Sequence, residues 1–143
     1  MEKTSDRLAV SLGAAMFLFG FLKFFDPFHG WFQVQVASSG LPGPSFALGI
    51  AGEIGTGLAL LGSSFARRRL GAAHHALSAA ASGSLIVMMG VATFVHLQPA
   101  VPASVLPLGI KPPVIPLSFL ALAAAALVMH VRLWRAQPRA AAS

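Results

Sequence analysis

Residues 46–65 read FALGIAGEIGTGLALLGSSF, a run in which Glu53 is the single charged side chain. The hydrocarbon layer of a bilayer is about 30 Å thick and takes ~20 apolar residues of helix to cross. A segment of that length and polarity predicts a transmembrane helix. Glu53 lies about ten residues into it, roughly 10 to 15 Å deep at 1.5 Å per residue. An ionisable group at that depth costs at least ~2.5 kcal/mol on insertion scales, so Glu53 is expected to face the bundle interior and meet a cation, a hydrogen-bond donor or a ligand. Gly49, Thr56 and Gly57 stand at i−4, i+3 and i+4 from it and share its face. They form a small-residue surface on which another helix can approach closely.

Working outward, three further apolar stretches have the same character, at 8–25, 70–97 and 114–133. The expected fold class is therefore all-α, an integral membrane four-helix bundle occupying 1–135 as a single domain, with an Ala-rich flexible tail at 136–143. Composition agrees: of 143 residues 56% are hydrophobic and 10% charged, against about 25% charged in an ordinary soluble domain. So small a body cannot hide that much apolar surface from water. Lys3 and Arg7 before the first run imitate a signal peptide. That run, however, ends in Lys23-Phe24-Phe25-Asp26-Pro27 without a small-x-small cleavage pattern, which predicts a retained helix. Asp26-Pro27 and the Ser38 to Pro44 stretch read as breaks, and Ser63 to Arg69 as a short turn. Six prolines at 99, 102, 107, 112, 113 and 116 make 98–116 a loop at the membrane surface.

The formal net charge is +6, and its placement carries information. With both termini on one side, that side holds Lys3, Arg7, Arg67, Arg68, Arg69, Arg132, Arg135 and Arg139, against Lys23 and Lys111 on the other. Basic residues flanking spans stay cytoplasmic, which predicts N and C termini in the cytoplasm of a multi-pass protein of the bacterial plasma membrane. The arginines are scattered over three membrane-flanking segments rather than one patch, so no nucleic-acid partner is expected. The bilayer itself is the expected partner.

The absence of cysteine excludes disulfides, thiol redox chemistry, iron–sulfur ligation and covalent haem attachment. There is no P-loop, HExxH or GxSxG pattern, and the acids are Glu2, Asp6, Asp26 and Glu53. Paired-carboxylate hydrolysis is not expected. Lys23, at the outer end of the first helix, either snorkels to the headgroups or turns inward to Glu53. His96, near the outer end of the third, can relay protons if it lies beside a carboxylate. Lys23, Glu53 and His96 together form the candidate ligand-binding cluster. His74, His75 and His130 stand at the inner helix ends, where axial haem ligation is conceivable but the spacing is nonspecific, so no haem and no metal ion is expected. The two histidine groups lie at opposite membrane faces.

Gly20-x-x-Lys23, then Gly40-Leu41-Pro42, then Glu53-Ile54-Gly55-Thr56-Gly57-Leu58-Ala59-Leu60-Leu61-Gly62, then His96 resemble in order and spacing the DoxX family of small four-helix membrane proteins. The family's Gly-x-x-Lys maps onto Gly20 and Lys23, its Glu and following glycines onto Glu53 and Gly57, and its histidine onto His96. The basic turn at Arg67 to Arg69 also fits. The resemblance implies a membrane subunit linked in some members to quinol oxidation or thiosulfate:quinone oxidoreduction, and in others to redox complexes or chaperoning of membrane partners. Quinone is the ligand it brings to the cluster, and redox partner subunits the assembly. The alternative is a non-catalytic accessory protein with a structural polar lock, and self-association stays open. The Pro-rich loop at 98–116 departs from the family pattern.

Overall fold

A computed structural model describes residues 1–137, and among them every regular element is a helix. The four long helices are α1 (Glu2–Leu22), α3 (Ser45–Phe65), α5 (Ala73–Leu97) and α6 (Val114–Ala136), with α2 (Phe28–Ser38) and the single turn α4 (Arg67–Leu70) between them. Each of the four is long and apolar enough to span a membrane. The 21 residues of α1 or α3 rise about 31 Å, the thickness of the hydrocarbon layer.

Successive long helices run antiparallel. Gly13 abuts Gly57 and Leu60, and Gly20 abuts Glu53 and Ile54, so α1 descends as α3 rises. Ser63 meets Ser78 and Thr56 meets Met88 between α3 and α5, and His75 meets His130 between α5 and α6. The start of α1, the end of α3, the start of α5 and the end of α6 therefore share one end of the bundle, the terminal end. The opposite, distal end carries α2 and the Pro-rich segment.

Leu12, Met16, Leu60, Leu85, Met89, Ala123 and Ala126 make the central core. The alanines of α6 allow its backbone to lie close against α5, the way small residues tighten helix contacts where lipid removes the hydrophobic drive. Large apolar side chains such as Leu48, Leu58, Val87 and Leu117 point outward, where they suit contact with a lipid bilayer. Phe24, Phe25, Phe28 and Trp31 are exposed near the distal end and Trp134 near the other, as aromatic side chains are at membrane interfaces.

The element boundaries differ from the sequence expectation in physically instructive ways. The first helix begins at Glu2 rather than 8 because its charged first turns extend the helix past the apolar run, with Asp6 engaged by Arg67. It stops at Leu22, and the chain turns through a cis Asp26–Pro27 peptide. The second span opens one residue earlier than expected. The third starts at Ala73, not 70, because Gly71 adopts φ +54 and ends α4, a conformation glycine takes at no steric cost. The fourth runs three residues further, to Ala136. The tail expected at 136–143 lies, from residue 138 onward, outside the described residues. Helix α2, absent from the sequence reading, has 11 residues, too few to cross a bilayer.

The Pro-rich segment is a loop holding two short 3₁₀ turns, Ala103–Val105 and Pro107–Gly109. It folds over the distal end, where Val101, Val105 and Leu106 form a second small core with Val95, edged by Leu41. Gln35 of α2 donates to the Val105 carbonyl, and the Lys111 ammonium donates to the carbonyls of Gln98 and Val101.

Candidate functional site

The distal polar site is built by a glycine and the lysine one turn beyond it. Gly20 has no side chain, and a Cβ placed there would lie 3.0 Å from the Glu53 Cβ and 2.7 Å from Ile54 Cγ1. The stem of Glu53 therefore rests on the backbone of α1. Lys23 follows at i+3, on the same face, and its ammonium donates to Glu53 Oε1 in a salt bridge whose side chains are 16% and 14% exposed. Lys23 has thus turned inward rather than snorkelled.

Helix α2 closes this pair from outside. The Lys23 Nζ stands 3.8 Å from the centroid of the Phe32 ring, a cation–π geometry. Phe32 occupies the space left by Gly49, where a Cβ would lie 2.7 Å from its Cζ, and it packs on Phe46 with centroids 5.2 Å apart. His29 Nδ1 lies 3.0 Å from the Lys23 carbonyl oxygen, tying α2 to the end of α1. The three small residues around Glu53 thus serve three different neighbours. Gly49 receives Phe32 of α2, Thr56 donates to Met88 Sδ of α5 at 3.7 Å, and Gly57 lies against the backbone of Gly13 and Phe17 in α1. They are not one stripe for one helix.

Two buried acceptors in the distal half have no hydrogen-bond partner among the described residues. One is Glu53 Oε2, left over once Lys23 takes Oε1. The other is His96 Nε2. His96 Nδ1 lies 2.8 Å from the Ala92 carbonyl oxygen, which fixes the proton on Nδ1 and leaves Nε2 as a lone pair. His96 makes no hydrogen bond or ion pair with Lys23 or Glu53 among the described residues. The register explains it: Thr56 stands level with Met88, so Glu53 is level with residues near 91, and His96 sits roughly 7 Å further along α5. The structure joins two members of the expected cluster and leaves the third about a turn and a half away. A shallow groove of about 500 Å³ opens between α3 and α5, lined by Ala51, Gly52, Gly55, Thr56, Ser84, Val87 and Met88. None of the three cluster residues lines it.

The terminal end holds a second polar assembly, in which the three histidines grouped from the sequence are joined by Asp6 and Arg67, which were not. His74 and His75 open α5 and His130 comes from α6; their exposures are 3%, 2% and 0%, so all three are buried within the protein. His75 Nδ1 lies 3.1 Å from His130 Nδ1. The rings of His74 and His75 pack with centroids 3.8 Å apart. His74 Nδ1 is 3.2 Å from the Gly71 carbonyl oxygen and its Nε2 is 3.4 Å from Asp6 Oδ1, while Arg67 donates to the other carboxylate oxygen at 2.6 Å. Asp6, in the second turn of α1, is thereby tied to α4 and α5. Below this assembly the Ser63 and Ser78 hydroxyls share a hydrogen bond of 2.7 Å between α3 and α5. One signal was available in the sequence: His74, His75 and His130 fall at helix ends that antiparallel packing brings to the same level.

No family model, no curated protein and no solved structure matches this chain.

Proposed function

We propose that the chain is a DoxX-like subunit of a membrane redox assembly, in which the Lys23–Glu53 pair receives the polar head of a hydrophobic ligand, a quinone or its quinol. The observation that carries this reading is Glu53 Oε2, a carboxylate oxygen buried without a donor. Leaving such an atom unsatisfied is costly, and a hydroxyl of a quinol head is a donor of the right kind. His96 Nε2 is a second unsatisfied acceptor in the same half of the bundle, suited to pass a proton outward. Lys23 tunes the charge on Glu53, and Phe32 covers the pair. The weight of basic residues at the terminal end supports cytoplasmic termini in a bacterial plasma membrane.

A second reading, a structural polar lock in an accessory protein, draws on the same pair. Lys23 already donates to Glu53 Oε1 across the α1–α3 contact that Gly20 tightens. Native mass spectrometry of protein extracted in mild detergent separates the two. Retention of a quinone by the wild type and its loss in Glu53→Gln, with helical content preserved, is the outcome expected of a ligand site. A ligand-free wild type recovered with a partner subunit, and a Glu53→Gln variant that loses the partner or its stability, would replace the ligand reading by the lock.

A further inference from the structure

We propose that His74, His75 and His130 form a binding site for a divalent transition-metal ion of the zinc class, independent of the Lys23–Glu53 pair. One nitrogen from each of the three imidazoles lies within 4.8 Å of those from the other two. Tetrahedral bonds of ~2.0 to 2.1 Å place the nitrogens bound to one zinc ion about 3.3 Å apart. The His75–His130 spacing of 3.1 Å is already of that size, and the widest spacing in the group closes to it by small rotations of side chains. Three buried histidines at the closed end of an apolar bundle need a reason to be there, because each brings polar nitrogens that must be satisfied.

Hydrogen bonding within the cluster does not satisfy them. His130 Nε2 is buried, in a side chain with 0% exposure, and has no hydrogen-bond partner among the described residues. His74 has an acceptor at each nitrogen, the Gly71 carbonyl at Nδ1 and Asp6 Oδ1 at Nε2. In its neutral form the His74 imidazole carries one proton, so in either tautomer one nitrogen lone pair faces an oxygen lone pair, a conflict relieved by a second proton or by a bound cation. With the proton on Nδ1 donated to Gly71, a cation bound at Nε2 removes that conflict. A backbone carbonyl holding the far nitrogen of a metal-binding histidine is the usual device that sets its tautomer. Asp6 then stands beside the ion, its Oδ1 at 3.4 Å from His74 Nε2, the separation of two ligands on one tetrahedral centre. It is the fourth position of an N₃O site, oriented by Arg67.

The donor set selects the ion. Imidazoles suit zinc, copper, nickel and ferrous iron, whereas magnesium and calcium require oxygen ligands. The site ties α1, α5 and α6 together at the terminal end, so the ion acts as a clamp on the bundle.

The test uses the full chain in detergent, prepared without a polyhistidine tag and stripped with chelator, then equilibrated with Co²⁺ or Zn²⁺ and with Mg²⁺ as control. The expected result is saturable uptake of one Co²⁺ per chain, with the intense visible bands of tetrahedral coordination, displaced by Zn²⁺ and unaffected by Mg²⁺. His75→Ala and His130→Ala should abolish it, His96→Ala should leave it intact, and Asp6→Asn, which removes the fourth ligand, should weaken it by at least the roughly 10- to 100-fold that loss of an outer carboxylate alone brings. Since an alanine variant can lose metal by losing its fold, His130→Cys supplies a gain of signal. The chain has no cysteine of its own, so a thiolate-to-Co²⁺ charge-transfer band in that variant places the ion at His130. Absence of saturable Co²⁺ uptake by the wild type, uptake that survives His75→Ala and His130→Ala, or a His130→Cys variant that binds Co²⁺ without the thiolate band would each overturn the proposal.

Discussion

Replacing Gly57 by alanine adds one methyl group at the place where two helices come closest. Its Cβ would lie 2.6 Å from the Phe17 nitrogen and 2.9 Å from both the Gly13 oxygen and the Phe17 Cα. All three are backbone atoms of α1, so no side chain can swing away. Carbon contacts are comfortable at about 3.5 to 4.0 Å, and α1 must therefore retreat by roughly 1 Å. Overpacking of this kind costs about 1 to 3 kcal/mol, offset by the ~0.5 to 1 kcal/mol that alanine gains over glycine in a helix. The expected net loss is about 1 to 2 kcal/mol. Gly55 is the internal control, because nothing lies within 4 Å of a Cβ there. Gly55→Ala should keep only the helix-propensity gain, ~0.5 to 1 kcal/mol of added stability. Two Gly→Ala changes two residues apart in one helix thus diverge by roughly 1.5 to 3 kcal/mol in opposite directions. Unfolding in mixed micelles titrated with dodecyl sulfate, followed by far-ultraviolet circular dichroism, measures the gap. A Gly57→Ala variant as stable as Gly55→Ala would show that α1 and α3 do not cross where the structure puts them.

Removing one partner of the buried ion pair, in Lys23→Met or Glu53→Gln, should destabilise the bundle by up to about 3 to 5 kcal/mol for the partner left charged, while the double variant recovers much of the loss; additive single effects in a double-mutant cycle would refute the pairing. Lys111→Ala removes the ammonium that holds the Gln98 and Val101 carbonyls and should speed amide hydrogen exchange across residues 98–113 with α5 and α6 unchanged. Uniform exchange in wild type and variant would contradict that anchoring. Ser78→Ala breaks the hydrogen bond to Ser63 between α3 and α5 and should cost about 0.6 kcal/mol, with ~1.7 as the upper bound seen for such bonds inside membranes, read in the same micelle titration; a loss well outside that range would mean the two hydroxyls do more than pair.

The four spans were legible because apolar length is a one-dimensional property: residues 46–65 announce a crossing without reference to anything else in the chain. Glu53 was legible for the same reason, as a lone charge in an apolar run. Its pairing with Lys23 could be framed from sequence because a second charge stood at the matching end of the neighbouring span. Helix α2 was missed because 11 residues between two turn-forming segments carry too little pattern to separate a helix from a loop. His96 was grouped with Glu53 by depth alone, which fixes distance along the membrane normal and leaves register and facing unknown. The meeting of His75 with His130, 55 residues apart, depends on how α5 and α6 register. That is set by close packing of small residues such as Ala123 and Ala126, and no local pattern encodes it.

The placement of polar groups along the bundle bears on which functions it can support. Asp6 lies near the start of α1 and Lys23 caps its end, 17 residues on, which separates the two polar assemblies by about 25 Å. Between them Leu12, Met16, Leu60, Leu85 and Met89 fill the interior. The central hydroxyls bond locally: Ser82 donates to the Ser78 carbonyl, Thr93 to the Met89 carbonyl, and Thr56 to a thioether. A proton or ion crossing the bundle would need a continuous line of groups that can hold it, and these bonds do not link one assembly to the other. Nor do the spanning helices break: among the described residues each runs without interruption, whereas transport sites are built from interrupted helices near the midplane. The two polar assemblies therefore stand apart, one at each end of the bundle, with an apolar core between them.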